Sequence, residues 1–245
     1  MLTLDCEHQD SQYFIACPFL QEDGTLLIRN LCRNCSQIHE KAITELAFGP
    51  LTDRKCIDCK KTPSRYNRNL MLAICDDCRL RKNGDSRPPP NVLDFPDEII
   101  DNRVYLGSQL SASNETVINT LKISAILCCG VGLRMEFADD PSIRYYQLPI
   151  ADSLDQEILP FVPHAVEFIE MALAEGRNVL IHCHVGISRS ASITIAYVMK
   201  ALPMTYFAAH VHVKARRDCI NPNRKFANDL ERVWQPIALA KEQPN

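Results

Sequence analysis

From Val104 onward the sequence alternates two kinds of apolar segment, and this alternation narrows the available folds more than any other feature. Short runs dense in Val, Ile, Leu and Tyr are stopped by glycine or proline. They are Val104-Tyr-Leu-Gly107, Ser124–Cys129 before Gly130, Arg144–Leu148 before Pro149, and Asn178–His182. Such runs read as strands. Between them lie longer stretches with apolar residues three and four apart. Residues 160–175 carry Phe161, Val162, Ala165, Val166, Phe168, Ile169, Ala172 and Leu173 on one stripe, ended by Gly176. Helices are also expected over 114–121 with Ser113 or Asn114 as cap, over 191–202, over 205–217 with Thr205 as cap, and over 226–240 with a break near Pro236. Strands alternating with crossover helices imply an α/β domain: a mainly parallel central sheet flanked by helices.

The chain ahead of that domain is built differently. Eight of the twelve cysteines fall in the first 78 residues. The boundary is Gly84-Asp-Ser-Arg-Pro-Pro-Pro90, where three prolines favour an extended spacer. The expected division is a cysteine-rich zinc-binding domain over 1–83, a linker over 84–93 and a larger domain over 94–238. The first residues, Met1-Leu-Thr-Leu-Asp-Cys-Glu7, lack a basic segment followed by an apolar one, so no signal peptide is expected. No apolar run reaches the roughly 18 residues that span a bilayer. The expected setting is cytoplasmic, nuclear or both, where clustered cysteines read as metal ligands or catalytic thiols rather than disulfides.

Cys56-x2-Cys59-x15-Cys75-x2-Cys78 has the spacing of a four-thiolate zinc site. Cys32-x2-Cys35 is a third chelating turn. Cys6 and Cys17 would complete a second sulfur site, with His8 and His39 as alternatives and cross-braced pairing equally open. Metal would supply folding energy that so small a region lacks. A 46% hydrophobic and 23% charged composition excludes a disordered chain, and a net charge of −3 gives no global reason to bind nucleic acid. Residues 54–87 nevertheless carry ten Lys/Arg against four Asp/Glu. A solvated surface is the simpler reading of that stretch, and nucleic-acid contact stays a minor one.

The chemistry is concentrated in Val179-Leu-Ile-His182-Cys183-His184-Val185-Gly186-Ile187-Ser188-Arg189-Ser190. A strand ends, a cysteine follows, an arginine stands six residues on, and an apolar helix begins. Amides of a tight loop entering a helix converge on an oxyanion and also stabilise a thiolate. Cys183 is therefore expected to be a nucleophile of depressed pKa. Arg189 offers a planar fork for two phosphoryl oxygens, and Gly186 permits close backbone approach. The alternative for a single cysteine is a buried core thiol, which the spacing to Arg189 argues against.

His182-Cys183-x-x-Gly186-x-Ser188-Arg189-Ser190 resembles the signature of the protein tyrosine phosphatase superfamily, and its Ser-Arg-Ser ending resembles the dual-specificity branch. The resemblance runs from about Asp94 to Trp234. It includes Asn102–Ser108, Leu148-Pro-Ile-Ala-Asp152, Arg216-Arg217, Pro222-Asn223 and Phe226. It implies a protein-tyrosine/serine/threonine phosphatase acting on phosphoproteins, with no cofactor for catalysis. Cys183 would be the nucleophile, Asp152 the acid and then the base, and Arg189 the transition-state clamp. Ser190 would assist sulfur departure, and His182 would support the loop. His184, Val185, Gly186, Ile187, Ser188 and Arg189 would bind the phosphoryl group.

Asp155, Asp139 and Asp140 are neighbouring alternatives for the acid. Val185 stands where such proteins often have Ala, and Lys225 where they commonly have Gly. The short span between Tyr105 and Asp152 implies a shallow pocket that admits phosphoserine and phosphothreonine as well as phosphotyrosine. Alternative functions are a catalytically silent phosphate-recognition scaffold, or a phosphatase of a lipid, a glucan or an RNA 5′ end. Cys128 and Cys129 end a strand expected beside the nucleophile. They read either as small buried hydrophobes or as partners for a reversible disulfide with Cys183.

Overall fold

In a computed structural model, the chain is described over residues 13–20, 26–32, 35 and 94–240. Seven strands form one sheet: β1 (Tyr13–Leu20), β2 (Leu26–Leu31), β3 (Asp97–Ile100), β4 (Val104–Gly107), β5 (Ile123–Cys129), β6 (Arg144–Leu148) and β7 (Asn178–His182). Their order across the sheet is β2-β1-β6-β5-β7-β4-β3. Pairings β1–β6, β6–β5, β5–β7 and β7–β4 are parallel, and only the two edge pairs are antiparallel. β7 is an interior strand between β5 and β4, and its residues Val179 to His182 are buried. A strand covered on both faces must be apolar at successive positions, as Val179-Leu-Ile181 is.

The helices are α1 (Gln109–Ala112), α2 (Glu115–Thr120), α3 (Val162–Ala174), α4 (Arg189–Ala201), α5 (Tyr206–Lys214), α6 (Arg224–Asp229) and α7 (Gln235–Leu239). A 3-10 turn, Leu159–Phe161, leads into α3, and one π turn, Leu230–Trp234, joins α6 to α7. Asn114 caps α2 and Thr205 caps α5, each accepting a backbone N–H on its side-chain oxygen. α4 is buried at every position from Ser190 to Met199, so it is the central helix rather than a surface one. Two of its buried polar groups are satisfied within the helix: Ser192 Oγ donates to Ser188 O and Thr194 Oγ1 to Ser190 O, both at 2.8 Å. Trp234 Nε1 donates to Ala196 O at 3.0 Å and ties the C-terminal helices to α4.

The expected boundary at residue 83 is corrected by β1 and β2, which extend the main sheet beyond β6. The chain divides into Met1–Cys32 with Asp94–Asn245 as one unit and Arg33–Leu93 as the other. The cysteine-rich stretch is thus an insertion between β2 and β3, not the leading part of a separate 1–83 domain. β1 pairs with β6 from Tyr13↔Tyr145 to Ile15↔Gln147. Tyr146 Oη donates to Asn30 Oδ1 at 2.6 Å in the interior, locking β2 to the sheet as well. The linker over 84–93 lies outside the described residues, apart from its downstream boundary at Asp94. Among the described residues no helix is long and apolar enough to cross a membrane.

Candidate active site

The C-terminal ends of the parallel strands collect the chemistry, as expected where a parallel sheet opens between its crossovers. β7 delivers Cys183, the loop 184–188 turns back, and α4 starts at Arg189. Cys183 is 2% exposed. Its sulfur accepts from the Gly186 amide at 3.2 Å and from Ser190 Oγ at 3.2 Å. Burial disfavours a thiolate there. The Ser190 hydroxyl and amide, the Arg189 charge and the Gly186 amide together outweigh it, so the thiol pKa is lowered.

Gly186 has φ +77°, and a Cβ there would overlap the Gly107 carbonyl oxygen at the end of β4. Only glycine permits that approach. At Gly130, after β5, a Cβ would stand 2.7 Å from Arg189 Nη1 and from Leu133 Cδ1, the far ends of flexible side chains. Arg189 Nε is buried without a hydrogen-bond partner among the described residues and stands 3.9 Å from Asp152 Oδ2.

Asp152 lies in the turn that leaves β6. Its Oδ1 accepts from Ser188 Oγ at 2.8 Å and from Asn223 Nδ2 at 3.0 Å. Asn223 N in turn donates to Ser188 Oγ at 3.1 Å, and Asn223 Oδ1 caps α6 by accepting from Phe226 N. One carboxylate oxygen is anchored in this way, leaving Oδ2 toward Arg189. A carboxyl group held beside a buried cysteine and a guanidinium is placed where it could do acid–base work on an oxyanion ester. Asp140 instead accepts from Ser142 N and Oγ, an ordinary turn.

His182 is fully buried. Its Nδ1 donates to Cys183 O at 3.1 Å, since a carbonyl only accepts. Burial, with the nearby Arg189 charge, lowers its pKa to about 4 despite that bond, so the ring is neutral. His184 and Val185 are exposed at the mouth, Ile187 is half-buried, and Ser188 and Gly186 are buried. All ten residues read from the sequence for catalysis and phosphoryl binding fall in this one place. Asn223 acquires a role that its motif alone did not show, because it touches Asp152 from 71 positions away. Lys225, which stands where such proteins commonly have Gly, bridges Glu157 on the Asp152 segment at 3.1 Å and Asp229 at 2.7 Å.

Cys128 is paired in register with His182. Both Cys128 and Cys129 are fully buried, and burial reinforced by the Cys183 charge pushes their thiols well up. They behave as neutral core thiols at ordinary pH. Of the expected metal ligands, Cys6, Cys56, Cys59, Cys75 and Cys78 lie outside the described residues, as do His8 and His39. Cys17 belongs to β1 opposite Arg29, Cys32 is buried just after β2, and Cys35 is half-buried in a helical position. Among the described residues no three His, Cys, Asp or Glu side chains are grouped to hold a metal ion.

A family model described as "Dual specificity phosphatase, catalytic domain" matches residues 104–235. Dual specificity protein phosphatase 9 of Homo sapiens is 34% identical over 174 residues, 71% of this chain and 44% of that one. Dual specificity protein phosphatase 1 of Arabidopsis thaliana is 36% identical over 144 residues, 59% of this chain and 72% of that one. The crystal structure of human tyrosine phosphatase-like serine/threonine/tyrosine-interacting protein superposes with a TM-score of 0.55 at 34% identity, covering 60% of this chain and 99% of that one. The chain spans 44% of the human relative and 13% of Slingshot from Drosophila melanogaster, so these proteins are much longer than the shared region.

Proposed function

This chain belongs to the dual specificity phosphatase catalytic-domain family, and from that membership we propose that it hydrolyses phosphomonoesters of protein tyrosine, serine and threonine. The observation that carries the proposal is the Cys183 sulfur held by the Gly186 amide and the Ser190 hydroxyl, with its pKa lowered. A pocket that only recognises phosphate has no need of an activated nucleophile, which counts against the silent-scaffold reading.

In the first step the Cys183 thiolate attacks phosphorus. The ester oxygen leaves with the proton of Asp152, giving a phosphocysteine and a free hydroxyl. In the second step Asp152 accepts a proton from water as the water oxygen attacks phosphorus. The sulfur departs as a thiolate, eased by the Ser190 hydrogen bond, and inorganic phosphate is released. Arg189 and the inward loop amides take up the charge of the equatorial oxygens in both transition states. Metal plays no part in these steps.

The test is turnover of an aryl phosphate by the purified chain. Cys183→Ser abolishes it, and Asp152→Ala lowers kcat by about 100-fold or more while substrate binding survives. Full turnover by Cys183→Ser would refute the reading. A phosphoprotein is the expected substrate, with the exposed His184 and Val185 meeting the residues around the phosphate. The Cys-x2-Cys turns of the 33–93 insertion are proposed to bind structural zinc, supported by their spacing alone.

A further inference from the structure

We propose that Arg217, held by Asp97, is the positioning residue that turns the amides of the Cys183–Arg189 loop toward the phosphoryl site; the inference rests on the phosphatase reading above. A trans peptide unit is planar, so its carbonyl and the next residue's N–H point in opposite directions. Whatever pulls a carbonyl outward therefore aims the following amide inward.

The four carbonyls from His184 to Ile187 are each pulled by a donor outside the pocket. His184 O accepts from the Gln109 amide at 3.1 Å, and Ile187 O from the Asn221 amide at 2.9 Å. The two carbonyls between them both go to Arg217: Val185 O accepts from Nη2 at 3.1 Å and Gly186 O from Nε at 2.9 Å. The amides so aimed belong to Gly186 and Ile187. The Gly186 amide does reach the Cys183 sulfur, at 3.2 Å, which fixes the sense of the turn.

The remaining nitrogen, Nη1, bonds Asp97 Oδ2 at 2.7 Å on β3, and the Arg217 side chain is only 10% exposed. One planar fork thus spans two loop carbonyls and a carboxylate, an arrangement that a single lysine ammonium does not reproduce. Arg217 follows α5, Asp97 lies on the edge strand, and neither touches the expected position of the phosphate. The loop at Gly186 is pressed between the Gly107 carbonyl and Arg217 Nη2, which would stand 2.8 Å from a Cβ there. Losing Arg217 frees the loop on the side that holds its amides in place. The competing account is that Arg217 merely anchors residues 215–221 to the sheet.

The full chain is compared with Arg217→Met, Arg217→Lys and Asp97→Asn. The control is Arg216→Met, since Arg216 donates only to His212 O at the surface. Three quantities are measured: the pH midpoint of Cys183 alkylation by iodoacetamide, the binding of inorganic phosphate, and kcat and KM on an aryl phosphate. For Arg217→Met the alkylation midpoint moves to higher pH and phosphate binding weakens about tenfold, as losing a charged hydrogen bond does. Its kcat falls about 100-fold, the scale of a misplaced reacting group. Arg217→Lys recovers little, and Arg216→Met behaves as wild type.

A merely structural role would lower the yield or melting temperature of Arg217→Met but leave the folded fraction with the native midpoint and phosphate affinity, and that result overturns the proposal. If Arg217→Met does not fold, Asp97→Asn decides: a raised midpoint supports the proposal and a native one overturns it. A wild-type chain that alkylates and binds phosphate as expected without turnover would sink the phosphatase reading, while a shifted midpoint in the variants would still uphold the positioning role.

Discussion

His182 is neutral at physiological pH because it is fully buried, and the Arg189 charge keeps it so. Its pKa is about 4 in the folded chain against an ordinary value near 6.5. Between those values the unfolded chain binds the extra proton, so stability falls as the pH drops through that window. The whole effect is on the order of 3 kcal/mol, lost by about pH 4. In His182→Asn this component is absent. The wild-type advantage in unfolding free energy, measured by urea titration at pH 7 and at pH 4, should therefore shrink by about that amount. An unchanged difference would mean that His182 takes up its proton in the folded chain at the ordinary imidazole pKa. The same residue scale accounts for what was legible in the site. Cys183, Gly186, Ser188, Arg189 and Ser190 lie within one turn of chain, so their spacing alone implies their convergence. Asn223 and Arg217 act through hydrogen bonds and an ion pair to residues at long separation, and nothing local to them signals it.

Secondary-structure elements show the same division. The strands from β4 to β7 and the helices α2 to α5 follow the apolar periodicity closely, because each buries a continuous stripe or run. α4 starts at Arg189, before its apolar run, since the loop itself closes the first helical turn. β1 and β2 were hidden by their setting among cysteines and by Pro18, which ordinarily argues against a central strand. Pro18 is tolerated because β1 pairs with β6 only over Tyr13–Ile15, and Pro18 lies in the half paired with β2 alone. The claim that β2 is part of the catalytic sheet is open to a single-atom test. Tyr146→Phe removes the donor to Asn30 Oδ1, buried at both ends. It should cost about 1–3 kcal/mol of unfolding free energy in a urea titration. A neutral result would mean that this hydrogen bond does not help to hold β2 to the sheet.

At the scale of the whole molecule, the enzyme unit is interrupted by residues 33–93, inserted between two strands that lie at opposite edges of one sheet. The Cys56-x2-Cys59 and Cys75-x2-Cys78 turns sit in that insertion, while Asp152, Asn223 and residues 182–190 of the proposed site lie outside it. Purified chain should therefore carry about one zinc ion per molecule by elemental analysis. Cys56→Ser with Cys59→Ser should lower that content while aryl-phosphate turnover per folded molecule stays within about twofold, because no step of the reaction passes through the metal. Zinc at the background level in the unsubstituted chain would end the metal reading. The parallel α/β fold and the convergence of Cys183, Gly186, Ser188, Arg189 and Ser190 were determined by the sequence itself, because apolar period and loop spacing are properties of neighbouring residues. Only the tertiary structure decided that residues 13–31 join the sheet, that Asn223 holds Asp152, and that Arg217 orients the loop. Those contacts join segments from about 30 to 130 positions apart, and strand order and helix docking, which no local pattern specifies, bring them together.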